Sequence, residues 1–139
     1  MKLLRVDMSQ LLVKWDAVPA VYERLGGRAL IARVLLEEVP PTCDALGPLN
    51  RLIFAPGLLG GVNVTTCGRL SVGGKSPLTR GVKEANAGGT AGDALGKLDI
   101  KAVIVEGQAA KNHWYILRIH GGDAELLPAN DLLGLGTYA

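Results

Sequence analysis

The amino-acid sequence predicts an α+β domain, and three observations carry that prediction. Short apolar stretches of strand length recur along the chain, the plainest being Lys101-Ala102-Val103-Ile104-Val105-Glu106-Gly107. One stretch has the helical period instead: Leu30, Ile31, Val34 and Leu35 share a face between Gly26-Gly27 and Pro40-Pro41. They predict one main helix, from about Arg28 to Glu38. Finally, 139 residues with 48% hydrophobic content suffice for one domain with a real core.

Taken in order, Leu3–Asp7 and Leu11–Trp15 read as two short strands joined by a turn at Met8-Ser9-Gln10. Pro19 opens a helical stretch whose pattern breaks at Gly26-Gly27, before the main helix. Arg51–Ala55 is a short apolar strand stopped by Pro56-Gly57. Arg69-Leu70-Ser71-Val72 alternates and leads to a turn expected at Gly73-Gly74. Thr90–Leu98 suits a small-residue helix weakened by its glycines. Trp114–Ile119 is another strand, and Gly121-Gly122-Asp123 turns it into a partner at Ala124–Leu127. After Pro128 a new element starts at Asn130, and Leu132–Tyr138 has the form of a helix entry. There is no internal repeat and no low-complexity tract.

Composition narrows the function classes. Aromatic residues are only 4%, so the core must be mostly Leu, Val, Ile and Ala. A net charge of +2 with so few aromatics argues against a nucleic-acid partner. No apolar run reaches the ~20 residues that span a bilayer, and the charged start Met1–Arg5 does not suit a secretion signal, so a cytoplasmic protein is expected. Cys43 and Cys67 stand alone and read as small core residues in a reducing compartment. His113 and His120 flank a strand with no ligand at metal spacing and read as surface residues. Glu37-Glu38 read as solvated charges at a helix end, and Glu106 as a turn residue. No nucleophile–base pair can be named.

One region stands out. Of the 19 glycines, 11 fall between Gly57 and Gly96. From Ala45 to Lys83 there is no acid, while Arg51, Arg69, Lys75, Arg80 and Lys83 are all present. Glycine bares backbone N–H groups and admits close approach, and unopposed cations make the local field positive. Together they read as an anion-binding surface for a phosphorylated cofactor. The same pattern also fits glycine-rich surface turns with solvated cations. Gly74-Lys75-Ser76 is not a nucleotide P-loop: the motif's first glycine would fall on Arg69, and Pro77 blocks the helix that should follow. No Gly-x-Gly-x-x-Gly follows a strand either.

The segments Cys67-Gly68-Arg69, Lys75-Ser76-Pro77-Leu78-Thr79 and Ala85-Asn86-Ala87-Gly88-Gly89 resemble the N-terminal domain of the tungsten-containing aldehyde ferredoxin oxidoreductases. Further matches occur in order: Leu4–Asp7, Leu25-Gly26-Gly27-Arg28-Ala29-Leu30, Glu38-Val39-Pro40-Pro41, Asn50–Gly61, Val103–Gly107 and Gly134–Tyr138. The resemblance covers nearly the whole chain. It implies a β-rich α+β domain of two mixed or antiparallel sheets, residues 1–139, serving as the base for a bis-pterin cofactor. In such enzymes two pterins hold one tungsten (or molybdenum), and their phosphates share a magnesium ion.

The resemblance places cofactor contacts on Arg69 and on an Asn86-Ala87-Gly88 turn. The two are expected to face one another across a phosphate, with Asn86 close to the magnesium. The reaction implied for the whole enzyme is oxidation of an aldehyde to a carboxylic acid, with a ferredoxin-type acceptor; ring reduction of an aromatic thioester is a related chemistry. Iron–sulfur cysteines lie in later domains of the family and are absent here, so the chain alone is expected to be inactive. The alternative is a stand-alone phosphate- or cofactor-binding module, or a split non-catalytic subunit docking on a partner; a homodimer is a further arrangement. Departures from the family pattern fall at Ser9-Gln10, Arg80-Gly81 and Asp93-Ala94-Leu95-Gly96.

Overall fold

The computed structural model describes residues 1–136. Eight strands are present: β1 Lys2–Asp7, β2 Leu12–Ala17, β3 Arg51–Pro56, β4 Leu70–Lys75, β5 Val82–Ala87, β6 Ile100–Glu106, β7 Tyr115–His120 and β8 Asp123–Pro128. The main helix, α1, spans Gly27–Glu38, and a short one, α2, spans Ala91–Lys97. Six strands form one sheet in the order β2-β1-β6-β3-β4-β5, while β7 and β8 form a separate two-stranded sheet. Within the large sheet only β1 and β6 run parallel; every other pair is antiparallel. The molecule is therefore the expected α+β domain with two sheets and one main helix. No helix among the described residues is long and apolar enough to cross a membrane.

The pleat explains the layering. Successive strand residues point to opposite faces, so β1 sends Leu3 one way and Leu4 and Val6 the other. On the first face α1 presents Leu30, Ile31, Val34 and Leu35 to Leu3, Ile53, Ala55, Ala102 and Ile104. These four helix residues are the ones whose spacing marks the helix in the sequence, and each is at most 5% exposed. Burying each contributes about 1.5–3 kcal/mol. On the second face Leu4, Val6, Ile100 and Val103 pack under Leu117, Ile119, Ala124 and Leu126 of the hairpin and Leu95 of α2. Both faces are thus covered mainly by aliphatic side chains, with Tyr22 on the first and Trp15 and Phe54 beside the second.

At the carboxyl end of α1 an ionic clamp fastens the helix to the sheet. The Arg5 guanidinium donates to both Glu38 carboxylate oxygens, at 2.8 and 2.5 Å. Arg51 meets Glu106 at 2.9 Å and Glu38 at 3.7 Å. Glu37 accepts a 2.5 Å hydrogen bond from the Tyr22 hydroxyl and an ion pair from Arg33. Glu37, Glu38 and Glu106 are therefore structural partners, where solvated charges and a turn residue were expected.

Several boundaries differ from the sequence reading, each for a local reason. Leu11 takes φ 52° in the first turn, so β2 starts one residue later. The stretch after Pro19 closes only one 3-10 turn, Ala20–Tyr22. β7 begins and ends one residue later than expected. Gly73-Gly74 is not a turn but the interior of β4, paired with Glu84 and Lys83. A Cβ on Gly73 would lie 2.8 Å from Ile31 Cγ2, and one on Gly74 2.5 Å from the Arg51 carbonyl oxygen. The turn comes later, where Ser76 N–H donates to the Gly81 carbonyl at 2.8 Å. Strand β5 carries no apolar alternation, being an exposed edge strand, and this hid it in the sequence. Cys43 and Cys67 are half-buried free thiols outside the core. The expected helix entry beyond Asn130 is a 3-10 turn, Asn130–Leu132, and Thr137 and Tyr138 lie outside the described residues.

Candidate functional site

The glycines divide by what surrounds them, and the division locates the site. Those of the Gly57–Gly68 loop and α2 interlock. A Cβ on Gly96 would sit 2.1 Å from the Gly60 carbonyl oxygen, one on Gly61 2.4 Å from the Gly96 carbonyl carbon, and one on Gly92 2.6 Å from the Gly68 carbonyl oxygen. Asp93, at a departure from the family pattern, accepts from Gly61 N–H at 3.2 Å. Most of the glycine density is thus internal packing. Gly88 and Gly89 differ: a Cβ on either meets nothing within 4 Å. They follow β5 into open space, and Gly89, not Gly88, has the positive φ, at 107°.

The acid-free cations divide in the same way. Arg51 is committed to Glu106 and Glu38. Lys75 donates to the Pro41 carbonyl at 2.6 Å and also to the Cys43 carbonyl. Arg80 and Lys83 are exposed on the Ser76–Gly81 turn and edge strand. Only Arg69 stands beside the open glycines. The five cations therefore do not form one surface.

Arg69 and Asn86 are brought together directly. Arg69 Nε donates to Asn86 Oδ1, and Asn86 Nδ2 donates to Ser71 Oγ at 3.1 Å. The register explains this, because Ser71 and Asn86 are cross-strand partners on β4 and β5. Asn86 and Ala87 thus belong to a strand, and the turn expected there begins at Gly88. Arg69 and Asn86 touch instead of facing each other across a gap. Only Nε of the guanidinium is committed among the described residues, which leaves its terminal nitrogens as a fork of donors.

Sequence reasoning missed the third component, the amino end of α1. Gly73 lies under Ile31, so Ser71 and Asn86 share the face that α1 covers. A Cβ on Gly27 would come 3.3 Å from Ser71 Oγ, and Gly27 takes φ +52°. The helix has no side-chain cap and no acid in its first turn, which instead carries Arg28. Free N–H groups and the helix dipole therefore present positive charge beside Ser71. Two acids lie nearby: Glu84, whose Oε2 is 4.0 Å from Arg28 Nε and whose buried Oε1 has no hydrogen-bond partner among the described residues, and Asp93, which lies against Gly68 and accepts from Gly61 N–H. The fingerprint Gly26-Gly27-Arg28 marks the helix start in the sequence, but nothing in it reveals that β4 and β5 lie beneath.

The residues present fit a phosphate: a guanidinium fork, an uncapped helix end and an open glycine backbone are donors, and among the described residues no carboxylate is within ion-pair distance of Arg69. They fit a cation less directly, since Asn86 Oδ1 already faces a guanidinium. Among the described residues no three His, Cys, Asp or Glu side chains gather as metal ligands.

Comparison with known proteins places the chain in a family. Residues 3–139 match the family model described as aldehyde ferredoxin oxidoreductase, N-terminal domain. The tungsten-containing aldehyde ferredoxin oxidoreductase of Pyrococcus abyssi is 36% identical over 135 residues, which are 96% of this chain and 22% of that protein. The enzyme of the same name from Thermococcus kodakarensis is 40% identical over 112 residues, 79% of this chain and 18% of its own. Among solved structures, the active-site complex BamBC of benzoyl-coenzyme A reductase with 1,5-dienoyl-CoA superposes with a TM-score of 0.90 at 30% identity. That match covers 96% of this chain and 20% of that one. The chain thus spans about a fifth of the length of the curated relatives it matches.

Proposed function

The chain belongs to the aldehyde ferredoxin oxidoreductase family as an N-terminal domain, and we propose that it holds a phosphate group of a tungsten (or molybdenum) bis-pterin cofactor. The observation that carries this reading is the convergence of Arg69, the open Gly88-Gly89 backbone and the uncapped amino end of α1 beside Ser71 and Asn86. Arg69 binds the phosphate through its terminal nitrogens, while Asn86 holds the guanidinium by its Nε and is itself held by Ser71. Ala87 and Gly88 carry the strand out beneath the ligand, where the absence of a side chain at Gly88 lets the backbone approach. Asn86 would lie close to a magnesium ion carried by that phosphate, its Oδ1 remaining with Arg69.

The cofactor supplies two-electron redox chemistry, and the reaction assigned to the whole protein is oxidation of an aldehyde with water to a carboxylic acid, two electrons and protons. A ferredoxin-type acceptor would receive the electrons by way of an iron–sulfur cluster, for which the two free cysteines here, Cys43 and Cys67, supply no ligand set. This chain's part is binding and orientation only.

Metal analysis of the protein purified in its native assembly tests the proposal. Tungsten or molybdenum should co-purify with pterin. Absence of both metals from active material would end it.

A second reading is favoured by the multi-subunit character of the solved relative: a split subunit that docks on a partner carrying the remaining cofactor contacts. Co-purification with the product of an adjacent reading frame containing cluster-type cysteines supports it; a single long frame rules it out.

A further inference from the structure

We propose that Lys101 anchors a second binding site, for a small apolar monocarboxylate, distinct from the Arg69–Asn86 cluster and independent of the cofactor reading. The parallel ladder between β1 and β6 contains a bulge: Lys2 pairs with Ile100 and Leu3 with Ala102, so Lys101 is the extra residue. A bulge re-aims the side chain it carries. Here it turns a lysine inward, to 5% exposure, where its Nζ donates one hydrogen bond, 2.8 Å long, to the Glu23 carbonyl.

No carboxylate among the described residues reaches ion-pair distance of that ammonium. An ammonium has three donors and Glu23 takes one, so two are free to meet a ligand in the cleft beside it. The ammonium pKa is lowered by burial, an effect only partly opposed by the Glu23 charge.

The side chain lines an open cleft of about 600 Å³ together with Lys2, Trp15, Ala17, Val18 and Glu23. That size is within the range of small-molecule sites. Two other charged groups on its wall are already engaged. Asp16 pairs with Arg5 at 3.1 Å and Lys14 at 3.4 Å, and the Met1 amino group pairs with Asp99 at 2.9 Å. Lys101 and Lys2 therefore stand against Glu23, a balance of one positive charge. A monoanion satisfies it, whereas a divalent phosphate meets repulsion from Glu23. Trp15, Ala17 and Val18 supply an apolar wall, which selects a carboxylate on a hydrocarbon or aromatic body.

The test uses the full chain carrying Trp114→Phe, which leaves Trp15 as the sole tryptophan. Trp114 is 55% exposed, so the change leaves the core intact. Benzoate at neutral pH should change Trp15 emission saturably, with half-saturation below ~10 mM. Lys101→Met, which keeps the chain length and removes the charge, should weaken binding at least about ten-fold while the thermal transition stays cooperative. Inorganic phosphate should bind more weakly than benzoate.

Absence of saturation, tighter binding of phosphate, or an unchanged benzoate curve in folded Lys101→Met would overturn the assignment. Should Lys101→Met fail to fold, trace acetylation of the Trp114→Phe protein reads the same contact. Benzoate must then slow modification of Lys101 relative to the exposed lysines, and equal labelling with and without benzoate overturns the proposal.

Discussion

Replacing Gly96 and Gly88 in turn separates glycines that pack the fold from those that serve a ligand. In Gly96→Ala the new Cβ falls 2.1 Å from the Gly60 carbonyl oxygen, 2.3 Å from its carbon and 2.6 Å from Gly61 N. All three are backbone atoms, which cannot swing aside. Overpacking of this kind costs ~1–3 kcal/mol, and rigid neighbours place it at the upper end. Alanine returns up to ~1 kcal/mol of helix propensity within α2. The expected net loss is therefore about 2 kcal/mol. With a urea slope of ~2 kcal/mol per molar, the unfolding midpoint falls by about 1 M. Gly88→Ala, by contrast, adds a methyl group to open space at a residue without positive φ, so its effect should stay within ~0.5 kcal/mol. Urea titrations followed by far-ultraviolet circular dichroism measure both. A Gly96→Ala midpoint within ~0.3 M of wild type would refute the interlock between the Gly57–Gly68 loop and α2.

Two further outcomes concern the clamp on α1. Arg5→Ala leaves Glu38 with Arg51 at 3.7 Å as its remaining cation. At side-chain exposures of 16% and 21% for Arg5 and Glu38, the cost lies between surface and buried pairs, about 2 kcal/mol, in the same urea assay; a loss below ~0.5 kcal/mol contradicts the clamp. Tyr22 has its hydroxyl pKa pushed up to about 12 from 10.0, first by burial and then by its bond to Glu37. Because the native state holds this proton more tightly, the stabilisation is full below pH 10 and is lost as pH rises towards 12. Stability should fall by about 2–3 kcal/mol across that window, and Tyr22→Phe should flatten the fall; an equally steep decline in the variant contradicts it. Glu37 is held below its ordinary 4.5 by the same bond, so the variant should also lose less stability on acidification through that range.

Much of the fold was legible because burial leaves a periodic trace. Leu30, Ile31, Val34 and Leu35 could face a core only as a helix, and Lys101–Gly107 could be buried only as a central strand. Strand β5 left no such trace: Val82–Ala87 lies at an edge, all but Glu84 are exposed, and its place is set by pairing with β4. The glycines misled for a related reason. Gly88, in open space, and Gly73 or Gly96, where backbones approach closely, look alike in the sequence, and only the tertiary neighbours tell them apart. Arg69 and Asn86 were named from the resemblance. Ser71 and the amino end of α1 were not, because their proximity is a product of sheet order. Arg51 and Lys75 looked like free cations since their partners, Glu106 and the carbonyls of Pro41 and Cys43, are distant in sequence.

The central claim is that Arg69, held by Asn86, binds a cofactor phosphate. Its most direct test is the pterin and metal content of the assembled protein carrying Arg69→Ala, measured beside the urea midpoint of the same sample. Charge-assisted hydrogen bonds to phosphate contribute ~1.5–3 kcal/mol, which is about ten- to a hundred-fold in retention. The account predicts that pterin and tungsten or molybdenum content fall well below wild type while the midpoint barely moves, since Arg69 is exposed and its side chain hydrogen-bonds only Asn86 among the described residues. Wild-type pterin and metal occupancy in Arg69→Ala would contradict it.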